Sequence, residues 1–181
     1  VALQATLHRL KIQLSDVDRG VYEALDLRLA RHPSESVRYL LTRAVAYALF
    51  FDEGIAFGPG LAEADEPALS IGTLDGRRVC WIDVGSPAAE RLHRASKACP
   101  RVVVVTGVDP EPIFRDARKT TVHRAAEIEV VAIDPKLLEA LEPHLARAME
   151  WELVRTDGTL YVTVAGKVHE GAVTVRPLAE R

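Results

Sequence analysis

The spacing of hydrophobic residues changes several times along the chain, and each change marks an element. Residues Ala2–Leu14 alternate, with Leu3, Ala5 and Leu7 on one face and Leu10, Ile12 and Leu14 on the other. That spacing predicts a strand with a bulge or bend near His8–Arg9, where the phase switches. The polar stretch Ser15–Gly20 reads as a loop. Val21–Leu29 alternates again with Val21, Leu25, Leu27 and Leu29 in phase, which predicts an N-terminal β-hairpin. Arg31-His32-Pro33-Ser34 stops the strand, and Ser34 is the expected helix cap. Val37, Leu40, Leu41, Ala44, Val45, Ala48 and Leu49 then recur at helical spacing, predicting an amphipathic helix over 34–51. Glu35 and Arg38 stand in its first turn.

Ile55–Phe57 predicts a short strand. Pro67–Thr73 and Arg77–Val84 flank Asp75-Gly76, a strong hairpin signal. Ser86-Pro87 predicts a helix start, with proline where its missing N–H costs nothing, and Cys99-Pro100 ends that helix. Val102–Val105 is continuously apolar, as expected of a strand covered on both faces. Strand, helix, strand predicts a right-handed parallel crossover. Further on, the pattern predicts a helix over Glu111–Arg118, a buried strand over Ile128–Ile133 and a helix opened by Asp134-Pro135 and disturbed by Pro143. Three closing strands are expected at Trp151–Arg155, Leu160–Val164 and Ala172–Val175. No repeat or linker interrupts this order, so the 181 residues read as a single α/β (α+β) domain, 1–181.

Composition narrows the function classes. The chain is 48% hydrophobic and 27% charged with a formal charge of −3, which excludes a uniformly basic nucleic-acid coat but not a local basic patch. Two cysteines cannot build a disulfide framework, no apolar run reaches a membrane span, and no signal segment opens the chain. A cytoplasmic protein without membrane contact is expected. There is no GxGxxG, P-loop or GxSxG motif, and the six histidines are scattered without metal-ligand spacing.

One constellation remains. Residues 34–106 are expected to follow the order αβββαβ. Glu35 opens its first helix, Asp65-Glu66-Pro67 opens the central strand, and Asp83 interrupts an otherwise apolar third strand, Trp81-Ile82-Asp83-Val84-Gly85. A two-residue Asp75-Gly76 turn makes paired residue numbers sum to 151. Ala68 then opposes Asp83, and Glu66 lies diagonal to Asp83 on the same face, with alpha carbons roughly 7–8 Å apart. Two such carboxylates can hold one hard cation, Mg²⁺ or Mn²⁺, whose bound water is a nucleophile suited to a phosphodiester. Each acid also has a plainer reading. Glu35 suits the helix dipole, Asp65-Glu66 suits a solvated turn, and Asp83 can be a satisfied structural acid.

The stretches Leu29-Ala30-Arg31-His32-Pro33-Ser34-Glu35, Asp65-Glu66-Pro67-Ala68-Leu69 and Trp81-Ile82-Asp83-Val84-Gly85-Ser86-Pro87 occur in order, and over nearly its whole length the chain resembles the YaeQ family. That resemblance implies a variation on the PD-(D/E)xK nuclease superfamily, with a restriction-endonuclease-like αβββαβ core in a mixed sheet, an N-terminal β-hairpin and C-terminal antiparallel strands. It also implies a degenerate site. Ala68 stands where the first aspartate belongs, Glu66 is the substitute, Asp83 is the second acid, and Gly85 replaces the lysine. Lys97 lies roughly 18 Å along the following helix, too far to replace it. Arg91, about one turn in, is the better cation, able to bind phosphate but not to act as a base. Arg31, Arg38 and Arg43 would form a basic rim.

The expected site is therefore Glu35, Glu66, Asp83 and Arg91, with Mg²⁺ or Mn²⁺ on Glu66 and Asp83. Two functions follow. One is a metal-dependent nuclease or phosphodiesterase acting on nucleic acid. The other is a catalytically inactive nuclease-fold protein that binds nucleic acid or protein as a regulatory module.

Overall fold

The structure, a computed structural model, describes residues 4–180, so the Ala2 and Leu3 positions of the first expected strand lie outside the described residues. In chain order the elements are β1 (Thr6–Asp16), β2 (Val21–Arg31), α1 (Val37–Leu49), β3 (Ile55–Phe57), β4 (Leu69–Gly72), β5 (Arg78–Val84), α2 (Ala89–Ala98) and β6 (Arg101–Thr106). They continue with α3 (Glu111–Ala117), β7 (Glu129–Ile133), α4 (Pro135–Leu141), β8 (Ala148–Thr156), β9 (Thr159–Val164) and β10 (Lys167–Pro177). The αβββαβ order over the expected segment is present, and β5 and β6 pair in parallel as expected.

All ten strands join one mixed, curled sheet in the order β2-β1-β8-β9-β10-β7-β6-β5-β4-β3. β10 links its two halves, because Lys167–Ala172 pairs with β9 and Val173–Pro177 pairs with β7. The pairing of β1 with β8, strands far apart in sequence, is parallel, and no local sequence signal announces it. The larger core packs α1 and α4 against the inner faces of both halves, through residues such as Leu10, Leu27, Leu40, Leu41, Ile82, Val103 and Leu153. A second core, with Leu92, Val104, Ile113 and Phe114, seats α2 and α3 on the other face of the β5–β6–β7 half. No helix among the described residues is long and apolar enough to cross a membrane.

Several local expectations need correction. β1 has no bulge, since its ladder with β2 runs unbroken from Thr6↔Arg31 to Asp16↔Val21. Its buried row is His8, Leu10, Ile12, Leu14 and Asp16, while Leu7 is left exposed. His8 tolerates the core position because its Nδ1 donates to the Ala146 carbonyl at 2.8 Å. Ser36, not Ser34, caps α1 by accepting from the Tyr39 N–H at 3.1 Å, and Ser34 Oγ is instead 2.6 Å from His32 Nδ1. α2 starts at Ala89, two residues beyond Pro87, and its first N–H donates to Asp116 of α3 at 2.7 Å.

The central hairpin reaches the expected register by a different route. Its turn has three residues, Leu74-Asp75-Gly76, closed by Thr73 N–H to Arg77 O and Gly76 N–H to Thr73 O. Gly76 takes the left-handed φ of 85° that this turn needs. An irregularity between Ile71 and Gly72 on β4 then absorbs one residue of β5, so that Leu69↔Ile82, Ser70↔Trp81 and Ile71↔Cys80 are opposite as a two-residue turn would have placed them.

Candidate functional site

After Arg78, β5 is apolar on both faces except at Asp83. Cys80, Ile82 and Val84 turn toward α1, and Trp81 and Asp83 turn toward α2. Asp83 is thus a carboxylate in a core position, only 3% exposed. Its partner is Arg91, one turn into α2. Arg91 Nε donates to Asp83 Oδ2 at 2.8 Å and Nη2 to Oδ1 at 2.9 Å, a bidentate pair. The same guanidinium donates to the carbonyls of Ala64 and Glu66, the latter at 2.8 Å, and lies over the Trp81 ring with 5.5 Å to its centroid. Hydrogen bonding to Asp83 raises the Arg91 pKa above its ordinary value. Arg91 therefore ties α2, β5 and the 63–67 turn together, and few of its donors are left for a ligand.

Glu66 does not join Asp83. It precedes β4, and its carboxylate accepts from Arg78 Nη2 at 2.6 Å. Glu66 and Asp83 do line the same cavity of about 400 Å³, together with Tyr39, Gly85, Ser86 and Arg91. Glu35 is not among the residues lining it. It lies on the α1 side of the sheet, buried to 3%, and receives Arg43 Nε at 2.8 Å and Nη2 at 3.1 Å. Its second oxygen also accepts from the His32 N–H at 3.1 Å, and Arg43 goes on to the Ala30 carbonyl at 2.9 Å. The expected convergence of three carboxylates is replaced by three separate acid–arginine pairs. Of the expected basic rim, Arg43 is paired with Glu35 and Arg38 with Glu142 at 2.7 Å, while Arg31 commits only its Nε, to the Glu35 carbonyl at 3.0 Å.

Tyr39 sits between the Glu35–Arg43 and Asp83–Arg91 pairs. Burial pushes its phenol pKa up, and both pairs contribute to its field. Gly85, where the resemblance leads one to expect lysine, has a φ of 93°, and a Cβ there would stand 3.5 Å from the Tyr39 ring. The left-handed backbone, more than lack of room, disfavours a side chain. Both cysteines are buried and free, and burial pushes the Cys80 thiol up to about 11.

This donor set does not fit a resident hard cation. Both oxygens of Asp83 and one of Glu66 are taken by guanidinium groups, and Ala68 supplies no oxygen at the facing position. Among the described residues no three His, Cys, Asp or Glu side chains are grouped to hold a metal ion. Sequence reasoning missed Tyr39 and the pairing of Arg43 with Glu35. The available signal was an arginine on the flank of an apolar helical stripe, eight residues after an acid.

The profile of the YaeQ protein family matches residues 1–173. The uncharacterised YaeQ protein of Escherichia coli (strain K12) is 26% identical over 164 residues, covering 90% of this chain and 91% of that protein. Its counterpart in Salmonella typhi is 26% identical over 166 residues, covering 91% and 92%. The crystal structure of the YaeQ protein from Xanthomonas axonopodis pv. citri superposes with a TM-score of 0.87 at 32% identity, covering 95% of this chain and 98% of that one. That of the YaeQ protein from Pseudomonas syringae gives 0.87 at 31% identity, covering 98% and 97%. With the match running through the fold, the Asp83 cavity and the strands that frame it, the chain belongs to the YaeQ family.

Proposed function

We propose that residues 34–106 form a restriction-endonuclease-like core that has lost metal chemistry, and that the protein binds nucleic acid as a regulatory module without cutting it. The bidentate Arg91–Asp83 pair carries this reading. A nuclease needs that carboxylate for a cation, and here a guanidinium holds it with two further bonds anchoring the guanidinium to the backbone. Displacing Arg91 would leave a buried charge without its partner, which costs several kcal/mol.

The choice of nucleic acid rests on the adjacent face. Arg94 and Lys97 on α2, and Arg115, Arg118 and Lys119 at the end of α3, are exposed, and none is in an ion pair among the described residues. Such a group attracts phosphates although the whole chain is acidic. Fluorescence anisotropy with single- and double-stranded DNA and RNA oligonucleotides tests it. Binding should weaken steeply with salt and be lost in the Lys97→Glu/Lys119→Glu double variant, with no cleavage in Mg²⁺ or Mn²⁺. Absence of binding to every oligonucleotide at low salt would refute it.

The rival reading, a Mg²⁺- or Mn²⁺-dependent nuclease using Glu66 and Asp83, is favoured by the αβββαβ order and by an acid on an apolar strand beside a cavity. It requires both arginines to release their acids. Metal-dependent cleavage that disappears in Asp83→Asn would establish it in place of the proposal.

A further inference from the structure

Charged residues occupy core positions at the other end of α1. The inward row of β1 runs Leu10, Ile12, Leu14, Asp16, and that of β8 runs Met149, Trp151, Leu153, Arg155, with Asp16 opposite Arg155 in the parallel ladder. Asp16 is fully buried, and the Arg155 side chain is 18% exposed. A buried aspartate next to a buried arginine would ordinarily form a tight pair. Here Asp16 is taken by Arg19, whose Nε donates to Oδ2 at 2.7 Å and whose own N–H donates to Oδ1 at 3.2 Å. Asp18 is likewise occupied, accepting from the Asp157 and Gly158 N–H groups at 2.7 and 3.0 Å.

Arg155 is left over. Its nearest carboxylate oxygens are 3.7 Å away on Asp16 and 3.5 Å away on Asp18, and its buried Nε has no hydrogen-bond partner. A guanidinium whose Nε is buried without a hydrogen bond is costly unless something supplies an acceptor oxygen. Arg155 lines a cavity of about 270 Å³ into which two more arginines project, Arg19 from the β1–β2 turn and Arg101 from the start of β6. Arg101 directs Nε and Nη2 at Glu129, leaving Nη1 uncommitted. Arg19 spends Nη1 and Nη2 on the Phe51 and Ala48 carbonyls at the end of α1. Asp52 and Glu129 also line the cavity, and Asp16 and Asp18 stand behind it against Arg19 and Arg155.

We propose that this cavity is a binding site for one phosphate-type oxyanion, either free phosphate or the phosphoryl group of a small metabolite. Three arginines reaching in from three separate elements suit a tetrahedral group with several acceptor oxygens better than a planar carboxylate. The volume suits a single phosphate and excludes a polynucleotide. The site is independent of the nucleic-acid reading, being at the C-terminal end of α1, whereas the Asp83 cavity is at its N-terminal end.

Isothermal titration of the full chain with inorganic phosphate at constant ionic strength tests the proposal, with sulfate and acetate as comparison anions. Saturable phosphate binding is expected, with competition by sulfate and an affinity loss of about tenfold or more in Arg155→Gln, the effect of removing charge-assisted hydrogen bonds. Arg101→Gln, at a more exposed position, should weaken binding in the same direction and decides the matter if Arg155→Gln fails to fold. No saturation by about 20 mM phosphate, or affinity unchanged in the folded variants, would overturn the site. Acetate binding as tightly as phosphate would overturn its assignment to a tetrahedral anion. A phosphorylated metabolite that binds more tightly than phosphate and competes with it would identify the phosphoryl group as the source.

Discussion

Glu35 and Asp83 are carboxylates whose work is set by the arginine each one meets. Both are buried, and each meets an arginine fork. Breaking a buried pair by removing one partner leaves an uncompensated charge and typically costs about 3–5 kcal/mol. Glu35→Ala should therefore lower the urea unfolding free energy by about that amount while leaving oligonucleotide binding per folded molecule unchanged. Asp83→Asn should cost somewhat less, about 2–3 kcal/mol, because Arg91 is 24% exposed and water can take over part of its solvation. Gly85→Lys puts a side chain at a φ of 93°, a penalty of about 1–2 kcal/mol. It should appear as lost stability in the same titration, with no metal-dependent cleavage gained. Asp83 was legible in the sequence because an acid on an apolar strand calls for a reason. Its partner's role was not, since an arginine one turn into a helix reads equally as a phosphate ligand and as a structural clamp until the distance is known.

Elements were legible where local chemistry decides them. The α1 stripe, the continuous apolar run of β6, the β9 alternation and the Asp134 cap all stand where the pattern puts them. Boundaries set by partners distant in sequence were not. The start of α2 depends on Asp116, which lies 27 residues later, and the extent of β10 depends on which of two neighbours each part of it meets. The hairpin of β4 and β5 has the register of a two-residue turn only because an irregularity cancels a three-residue one. A comparable long-range tie joins the β1–β2 and β8–β9 turns, where Asp18 accepts from Asp157 and Gly158. The Gly158 hydrogen bond holds the Asp18 carboxyl below its ordinary value, so this tie adds stability above the unfolded pKa of about 3.9 and loses it as pH falls through the lower folded value. The Asp157 and Gly158 amide resonances should titrate with a midpoint below that of a model aspartate, and Asp18→Asn should abolish the transition. A midpoint at the ordinary value would show that the tie is not made in solution.

At the scale of the molecule, the curl of one sheet around α1 puts two charged cavities at the two ends of that helix. The parallel β1–β8 pairing closes the curl and carries Asp16 and Arg155 inward at one end. At the other end β5 carries Asp83 under α2. The topology that produces both is set by pairings across most of the chain, which is why composition and periodicity could point to the acids but not to their grouping. Whether Asp83 belongs to Arg91 or to a cation decides between the two functions. A crystal structure determined after soaking in Mn²⁺, with anomalous scattering recorded at the manganese edge, decides it most directly. No anomalous peak within coordination distance of Asp83 is expected, and the bidentate pair with Arg91 should be intact. A peak coordinated by Asp83, with Arg91 turned away and Glu66 released from Arg78, would contradict it.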